Sequence, residues 1–307
     1  MIKPLALRPG DRIAVLSPAS PFSREVFDQG IQELRRLGFQ PVYDETVFDR
    51  ALFTSGTPEL RAEAFIQAWS DPSIAALIAV RGGYGSVHLL PEFESWIPSL
   101  PPKLFIGYSD STSLLSWLTC QCRITAIHGP MIAGRLSEGA EGYDEASFMR
   151  LIEGAGAGLE LRPGGLSVLR EGEATGPLFG GTLTQITASL GTPYAFSPPD
   201  EFVLFLEDVN ERPYRIDRML TQLRLSGILS RAKALVFGEM RGCDEAAGTP
   251  TARDVIQDLT ADFAGPVLIG FPSGHTSGPA WTLPLGVRVR VETAPQPSIL
   301  VEESPVA

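Results

Sequence analysis

Apolar residues recur in two rhythms along the first 120 positions. Short unbroken runs at residues 11–17 (DRIAVLS), 74–80 (IAALIAV) and 104–106 predict strands, as does 39–43. The run at 74–80 is apolar at every position, as a strand covered on both faces must be. Between these runs the spacing changes to that of a helix. Residues 22–37 carry Val26, Phe27, Ile31, Leu34 and Leu37 on one face and stop at Gly38. Residues 57–69 open with Thr57 as cap, Pro58 at the first helical position and Glu59 in the first turn. Residues 112–118 again read as helix. Strands alternating with helices predict a parallel sheet with right-handed crossovers.

The pattern weakens between about 136 and 176, where glycines and acids accumulate (SEGAEGYDEAS, EGAGAG, RPGG). That stretch reads as an interdomain crossing with a short helix near 147–152. Beyond it, 202–206 (FVLFL) and 234–237 predict strands, 214–225 and 251–263 helices, and 287–291 and 298–301 closing strands. There is no internal repeat at solenoid spacing. The expected organisation is an N-terminal α/β domain over 1–135, the crossing over 136–176, and a C-terminal domain over 177–307.

Composition narrows the function classes. The 307 residues are 44% hydrophobic and 20% charged, a globular profile, with a formal net charge of -11. Such an acidic surface repels phosphate backbones and anionic headgroups, so neither nucleic acid nor a membrane surface is an expected partner. Three cysteines, Cys120, Cys122 and Cys243, make no disulfide framework or zinc pattern, and read as thiols in a reducing compartment. The N-terminal segment has no signal-peptide h-region, and no apolar run approaches the ~18 residues of a membrane helix, so a soluble, cytoplasmic protein is expected.

The sharpest chemical feature is IGYSDSTSLLSWL at 106–118: an apolar strand, a tight Gly-Tyr-Ser-Asp turn and a helix. This context can expose a nucleophilic serine, here Ser109, beside the unpaired N–H groups of a helix N-terminus. The plainer alternative is that Ser109 or Asp110 caps the helix. A serine needs a base, and the histidines are His88, His128 and His275. His275 lies in a turn-rich loop, FPSGHTSG, after an apolar run and is the first choice; His128, in His-Gly-Pro, and His88 remain open. A third group would orient the imidazole. Glu207 and Asp208 end the FVLFL strand, whereas Glu211, Arg212, Arg215, Asp217 and Arg218 read as solvated ion pairs. The turn Arg81-Gly82-Gly83-Tyr84-Gly85 can present N–H groups to an oxyanion, and it lacks the order of a nucleotide-binding loop. Gly180-Gly181 reads as a turn for packing.

Taken in order, RPGDRIAVLSPAS, DPSIAALIAVRGGYGS, IGYSDSTSLL, HGPM, LFGGTL, SLGTPY, LFLEDVNERPYRIDRMLTQL and GHTSG resemble the LD-carboxypeptidase family of serine peptidases, which also includes microcin C immunity peptidases. The resemblance covers nearly the whole chain. It implies a Ser-Glu-His triad at Ser109, Glu207 and His275, oxyanion donors at the backbone N–H groups of Asp110 and Gly83, and no metal or organic cofactor. Family members often carry Asn where this chain has Thr182. The fold implied is a parallel α/β N-terminal domain and a smaller β-rich C-terminal domain with the active site between them. The activity implied is removal of terminal D-alanine from murein tetrapeptides, with Arg81 and Arg212 as candidates for the substrate carboxylate. Homodimers are common in the family. The alternative within the same chemistry is cleavage of an aminoacyl-nucleotide-like toxin. That reading needs an aromatic for the base, and the crossing offers Tyr143 and Phe148. A non-catalytic small-molecule-binding protein would explain the glycine turns but not the placing of Ser, Glu and His.

Overall fold

A computed structural model describes residues 1–93 and 99–307. Its strands are β1 (Arg12–Leu16), β2 (Gln40–Val42), β3 (Ala76–Ala79), β4 (Leu104–Gly107), β5 (Ala126–His128), β6 (Glu160–Leu161), β7 (Ser167–Arg170), β8 (Glu173–Thr182), β9 (Phe202–Glu207), β10 (Ala232–Gly238), β11 (Val267–Phe271), β12 (Leu283–Leu285), β13 (Arg288–Glu292) and β14 (Ser298–Val301).

They form two sheets. The first is six-stranded, in the order β12-β5-β4-β3-β1-β2, and parallel from β2 to β5. Its crossovers include the helices Arg24–Arg36, Pro58–Ser70 and Thr112–Cys120. Ser23 and Thr57 cap the first two by accepting from the N–H of Val26 and of Leu60. Phe27, Ile31 and Leu34 on one helix, and Ala62, Phe65 and Trp69 on the other, are buried. Covered in this way, β3 is inaccessible along its length, which explains its unbroken apolar sequence.

The second sheet is eight-stranded, in the order β6-β14-β13-β8-β9-β10-β11-β7. Strands β8 to β11 run parallel, and the remainder pair antiparallel on either side. Its two faces bury different cores, and the period of two decides which side chain goes where. On β9, Val203 and Phe205 join the core shared with the first sheet. Phe202, Leu204 and Leu206 pack into a second core with the helices Pro213–Leu225 and Ala252–Leu259. Glu207 continues the parity of 203 and 205, so its carboxylate is delivered toward the first sheet.

The structure departs from the expected organisation at three points. The stretch 136–176 is more than a crossing: besides the helix Glu145–Ile152 it supplies β6, β7 and the start of β8. Strand β8 shows no strand pattern in the sequence because Gly176, Pro177, Gly180 and Gly181 interrupt it. These glycines serve close backbone approach instead: a Cβ on Gly180 would lie 1.8 Å from the Phe205 carbonyl oxygen of β9. Residues of β12, expected within the C-terminal domain, return to pair antiparallel with β5. Pro284 is tolerated there because β12 is an edge strand. Finally, the second sheet, built from 136–176 together with the C-terminal residues, has eight strands against six in the first, with a parallel centre.

Candidate active site

Strand β4 delivers Ser109. Tyr108 is still extended (φ -154°), then Ser109 turns to φ 62°, and the chain passes through a 3-10 turn into the helix Thr112–Cys120. A left-handed non-glycine residue is held against ~1–3 kcal/mol of strain, a signature of functional turns. The turn fits because its neighbour has no side chain: a Cβ on Gly82 would lie 2.6 Å from Ser109 Cβ, 2.7 Å from its Oγ and 3.1 Å from the Asp110 nitrogen. Gly82→Ala is therefore expected to displace Ser109 and lower kcat at least ~100-fold, on the scale of a 1 Å misplacement of a reacting group. Steady-state kinetics beside a thermal melt checks this, and near-parental turnover in the folded variant would refute it.

The Asp110 side chain is fully engaged in structure. Its Oδ2 accepts from the Ser86 N–H at 2.8 Å, its Oδ1 accepts from Gln185 Nε2 at 3.3 Å, and its carbonyl accepts from Ser86 Oγ at 2.6 Å. These bonds fasten the Gly82–Gly85 turn to the Ser109 turn. Within that turn Tyr84 donates its N–H to Ser20 Oγ at 3.1 Å.

On the other side stands His275, one-fifth exposed, whose Nδ1 lies 2.8 Å from Glu207 Oε2. The same oxygen accepts the His275 backbone N–H at 3.0 Å, and Thr182 Oγ1 donates to Oε1. Glu207 is 1% exposed, and glycines enclose it: a Cβ would lie 2.7 Å from Glu207 Cβ if built on Gly238, and 2.8 Å from its Cδ if built on Gly274. Burial pushes the carboxyl up, but the His275 charge and hydrogen bond, with help from Thr182, hold it below the usual carboxylate range. Burial likewise pushes His275 down, and the Glu207 charge and hydrogen bond more than offset this, so the imidazole lies above its usual value. With Nδ1 occupied, Nε2 is the nitrogen left to take a proton.

Ser109, His275, Gly82, Gly83, Arg81 and Tyr108 line one cleft of about 220 Å³, with Met131 and Ala133. Arg81 is exposed there, with Nη1 donating to the Pro21 carbonyl at 2.9 Å. Arg212 is not among the lining residues; its guanidinium is spent on an ion pair with Glu245. Nor do the other histidines line it. His128 is buried against Ser273, while His88 lies between Tyr84 and Arg61. Asp208, adjacent to Glu207, points away and accepts from the Thr184 N–H and hydroxyl at the start of the helix Leu183–Ser189. Burial pushes it up to about 6. Burial also pushes the thiols of Cys120, Cys122 and Cys243 up to about 11, 12 and 11, which makes them poor nucleophiles.

The LD-carboxypeptidase N-terminal domain model matches residues 13–129, and the LD-carboxypeptidase C-terminal domain model matches 175–291. The chain belongs to the LD-carboxypeptidase family. It is similar to the murein tetrapeptide carboxypeptidase of Pseudomonas aeruginosa, 31% identical over 274 residues, 86% of this chain and 88% of that one. It is also similar to the microcin C7 self-immunity protein MccF of Escherichia coli, 27% identical over 319 residues, 94% and 92% of the two chains. The crystal structure of muramoyltetrapeptide carboxypeptidase from Oxalobacter formigenes superposes with a TM-score of 0.82 at 27% identity, covering 94% and 97%. The expected fold, a parallel α/β domain and a second β-rich domain, is the one this family adopts.

Three residues in or behind this LD-carboxypeptidase's cleft carry no clear signal in the sequence. Tyr108 and His275 stand edge-to-face, ring centroids 5.3 Å apart at 76°, and burial pushes the Tyr108 hydroxyl up to about 12. The one available signal was its place beside Ser109. Arg135 donates to the Thr276 carbonyl and, at 3.1 Å, to Glu138 Oε2, so a buried guanidinium braces the loop after His275. It falls where the apolar pattern fades and carried no signal. Thr182, noted only as differing from the family's frequent Asn, donates to Glu207.

Proposed function

We propose that this LD-carboxypeptidase releases the terminal D-alanine from murein tetrapeptides, cutting the bond that follows an L-configured centre, in cytoplasmic recycling of cell-wall peptides. The observation that carries the reading is Ser109, held at φ 62° in the cleft that also contains His275, itself bound to the buried Glu207.

Ser109 Oγ attacks the scissile carbonyl while His275 Nε2 takes its proton. The carbonyl oxygen becomes an oxyanion between the N–H groups of Asp110 and Gly83, whose turns Ser86 and Asp110 fasten together. Glu207 stays ionised and fixes the tautomer of His275. As the C–N bond breaks, His275 returns the proton to the departing D-alanine nitrogen. Water then attacks the acyl group on Ser109 by the same relay. Arg81 is the cation for the substrate's terminal carboxylate. A cleft of about 220 Å³ suits a small terminal residue, being below the ~300–1,000 Å³ of sites that enclose drug-sized ligands.

One further observation favours this reading over a nucleotide-like substrate. Tyr143 and Phe148, the aromatics of the 136–176 stretch, are both buried and pack against each other, so neither offers a face to a base. The free thiols suit a reducing compartment. The test is incubation with purified tetrapeptide, with mass spectrometry for loss of one alanine. Cleavage of an aminoacyl-sulfamoyl adenylate, with the tetrapeptide untouched, would put the immunity-type reaction in its place.

The raised His275 gives a pH test. The base works as neutral imidazole, so kcat/KM should rise with pH through a value above the ordinary ~6.5 of histidine. Glu207→Gln removes the charge that raises it and leaves the desolvation that lowers it. The acid limb should move to lower pH while kcat falls on the order of 10⁴-fold, as when the orienting carboxylate of a serine triad becomes an amide. An acid limb that stays in place in Glu207→Gln would exclude Glu207 as the partner of the base.

A further inference from the structure

His128 is fully buried, yet it serves no cleft surface. It ends β5, where its register partner on β4 is Gly107, two residues before Ser109. Its Nδ1 lies 2.9 Å from Ser273 Oγ, and Ser273, also buried, stands two residues before His275 and two after the end of β11. The bond thus runs from the first sheet, beside the strand that carries the nucleophile, to the loop of the second sheet that carries the base.

The surroundings of the imidazole sharpen the point. Its ring packs on Phe205 and Tyr108, with centroids 5.2 and 6.0 Å away, and Tyr108 in turn packs on His275. Its Nε2 is buried without a hydrogen-bond partner among the described residues. Burial also pushes its pKa down to about 4, so it is neutral near pH 7 and leaves the Glu207 charge to His275. An apolar ring would fill this space without a bare nitrogen, so the polar service that justifies a histidine is the bond to Ser273. The loop it holds has no slack: a Cβ on Gly274 would lie 2.8 Å from Glu207 Cδ and 3.1 Å from His128 Cε1.

We infer that the His128–Ser273 hydrogen bond is a latch between the two sheets that sets His275 in register with Ser109, making both positioning residues for the reaction. The inference rests on the proposed roles of Ser109 and His275. A positioning latch affects the chemical step and leaves ground-state binding alone, so kcat should fall and KM should not.

The experiment compares Ser273→Ala, Ser273→Thr, His128→Phe and the double variant His128→Phe/Ser273→Ala, with near-UV circular dichroism and thermal melts to confirm folding. It reads tetrapeptide kinetics and the rate at which a fluorophosphonate labels Ser109. In the labelling step the Oγ–P bond forms, fluoride leaves and His275 takes the proton. Ser273→Ala and His128→Phe should each lower kcat and labelling rate about 10- to 100-fold with KM within about twofold, on the scale of a misplaced catalytic group. Ser273→Thr, which keeps the hydroxyl, should restore most of the rate. The double variant should lose little beyond the worse single one, because both remove the same bond. Labelling and turnover within about twofold of the parent in folded Ser273→Ala would overturn the latch, as would fully additive losses. If the parent itself is not labelled at Ser109, the nucleophile assignment fails and the latch falls with it. Normal labelling of the parent with equal rates in the variants overturns the latch alone.

Discussion

Ser109→Ala is expected to lower kcat by roughly 10⁴- to 10⁶-fold and leave the melting temperature near that of the parent. The two halves of that expectation have separate causes. In the proposed mechanism activity depends on the hydroxyl, which shares the cleft with His275 as its base. Stability does not: Ser109 is half-buried, its hydroxyl makes no hydrogen bond among the described residues, and the helix after it has no side-chain cap bond. Alanine keeps the Cβ, so the strain of φ 62° remains in the variant. The measurement is tetrapeptide turnover beside a calorimetric melt. Parental turnover in a folded variant would end the serine mechanism. A melting temperature that falls in step with activity would return Ser109 to the role of a helix cap.

The parts of this site that could be read from the sequence are those fixed by local pattern. Strand β4, the Gly-Tyr-Ser-Asp turn and the following helix lie within 17 consecutive residues, so periodicity and turn chemistry suffice to place Ser109. The orientation of Glu207 follows from the period of two along β9 once two cores are known to flank that strand. The sequence alone shows an unbroken apolar run and cannot say which face is which. His275 stood first among the histidines because its loop follows a strand, yet only the fold separates it from His128, which is buried behind it. What stayed hidden depends on contacts between distant segments. Strand β12 crosses back to β5 over more than 150 positions, and a run as short as Leu-Pro-Leu carries no periodicity. The glycines of β8 read as a turn because close approach to Phe205 is a property of two chains, not of one. Thr182, Arg135 and Ser273 act on Glu207, on the loop after His275 and on His128, and none has a local signature.

A tetrapeptide ending in D-alanine should be cleaved about a thousandfold faster than its L-terminated isomer. The cleft is small and its polar lining is short: the Ser109 and Tyr108 hydroxyls, the Gly82–Gly83 backbone, the His275 imidazole and the Arg81 guanidinium. In the proposed mechanism, attack fixes the scissile carbonyl between Ser109 and the Asp110 and Gly83 N–H groups, so the leaving residue is free to place only its methyl and its carboxylate. Inverting the stereocentre exchanges those two. An L-residue therefore either turns its carboxylate away from Arg81 or drives its methyl into the wall by Met131. A charged group left without its partner in a partly desolvated site costs several kcal/mol, and about 4 kcal/mol corresponds to a thousandfold. Because the discrimination arises in the oriented complex, it should appear in kcat/KM and not in KM alone. The two synthetic peptides, assayed side by side for free alanine, give the ratio directly. Equal rates would mean that the terminal stereocentre is not held by this cleft and would exclude Arg81 as its anchor.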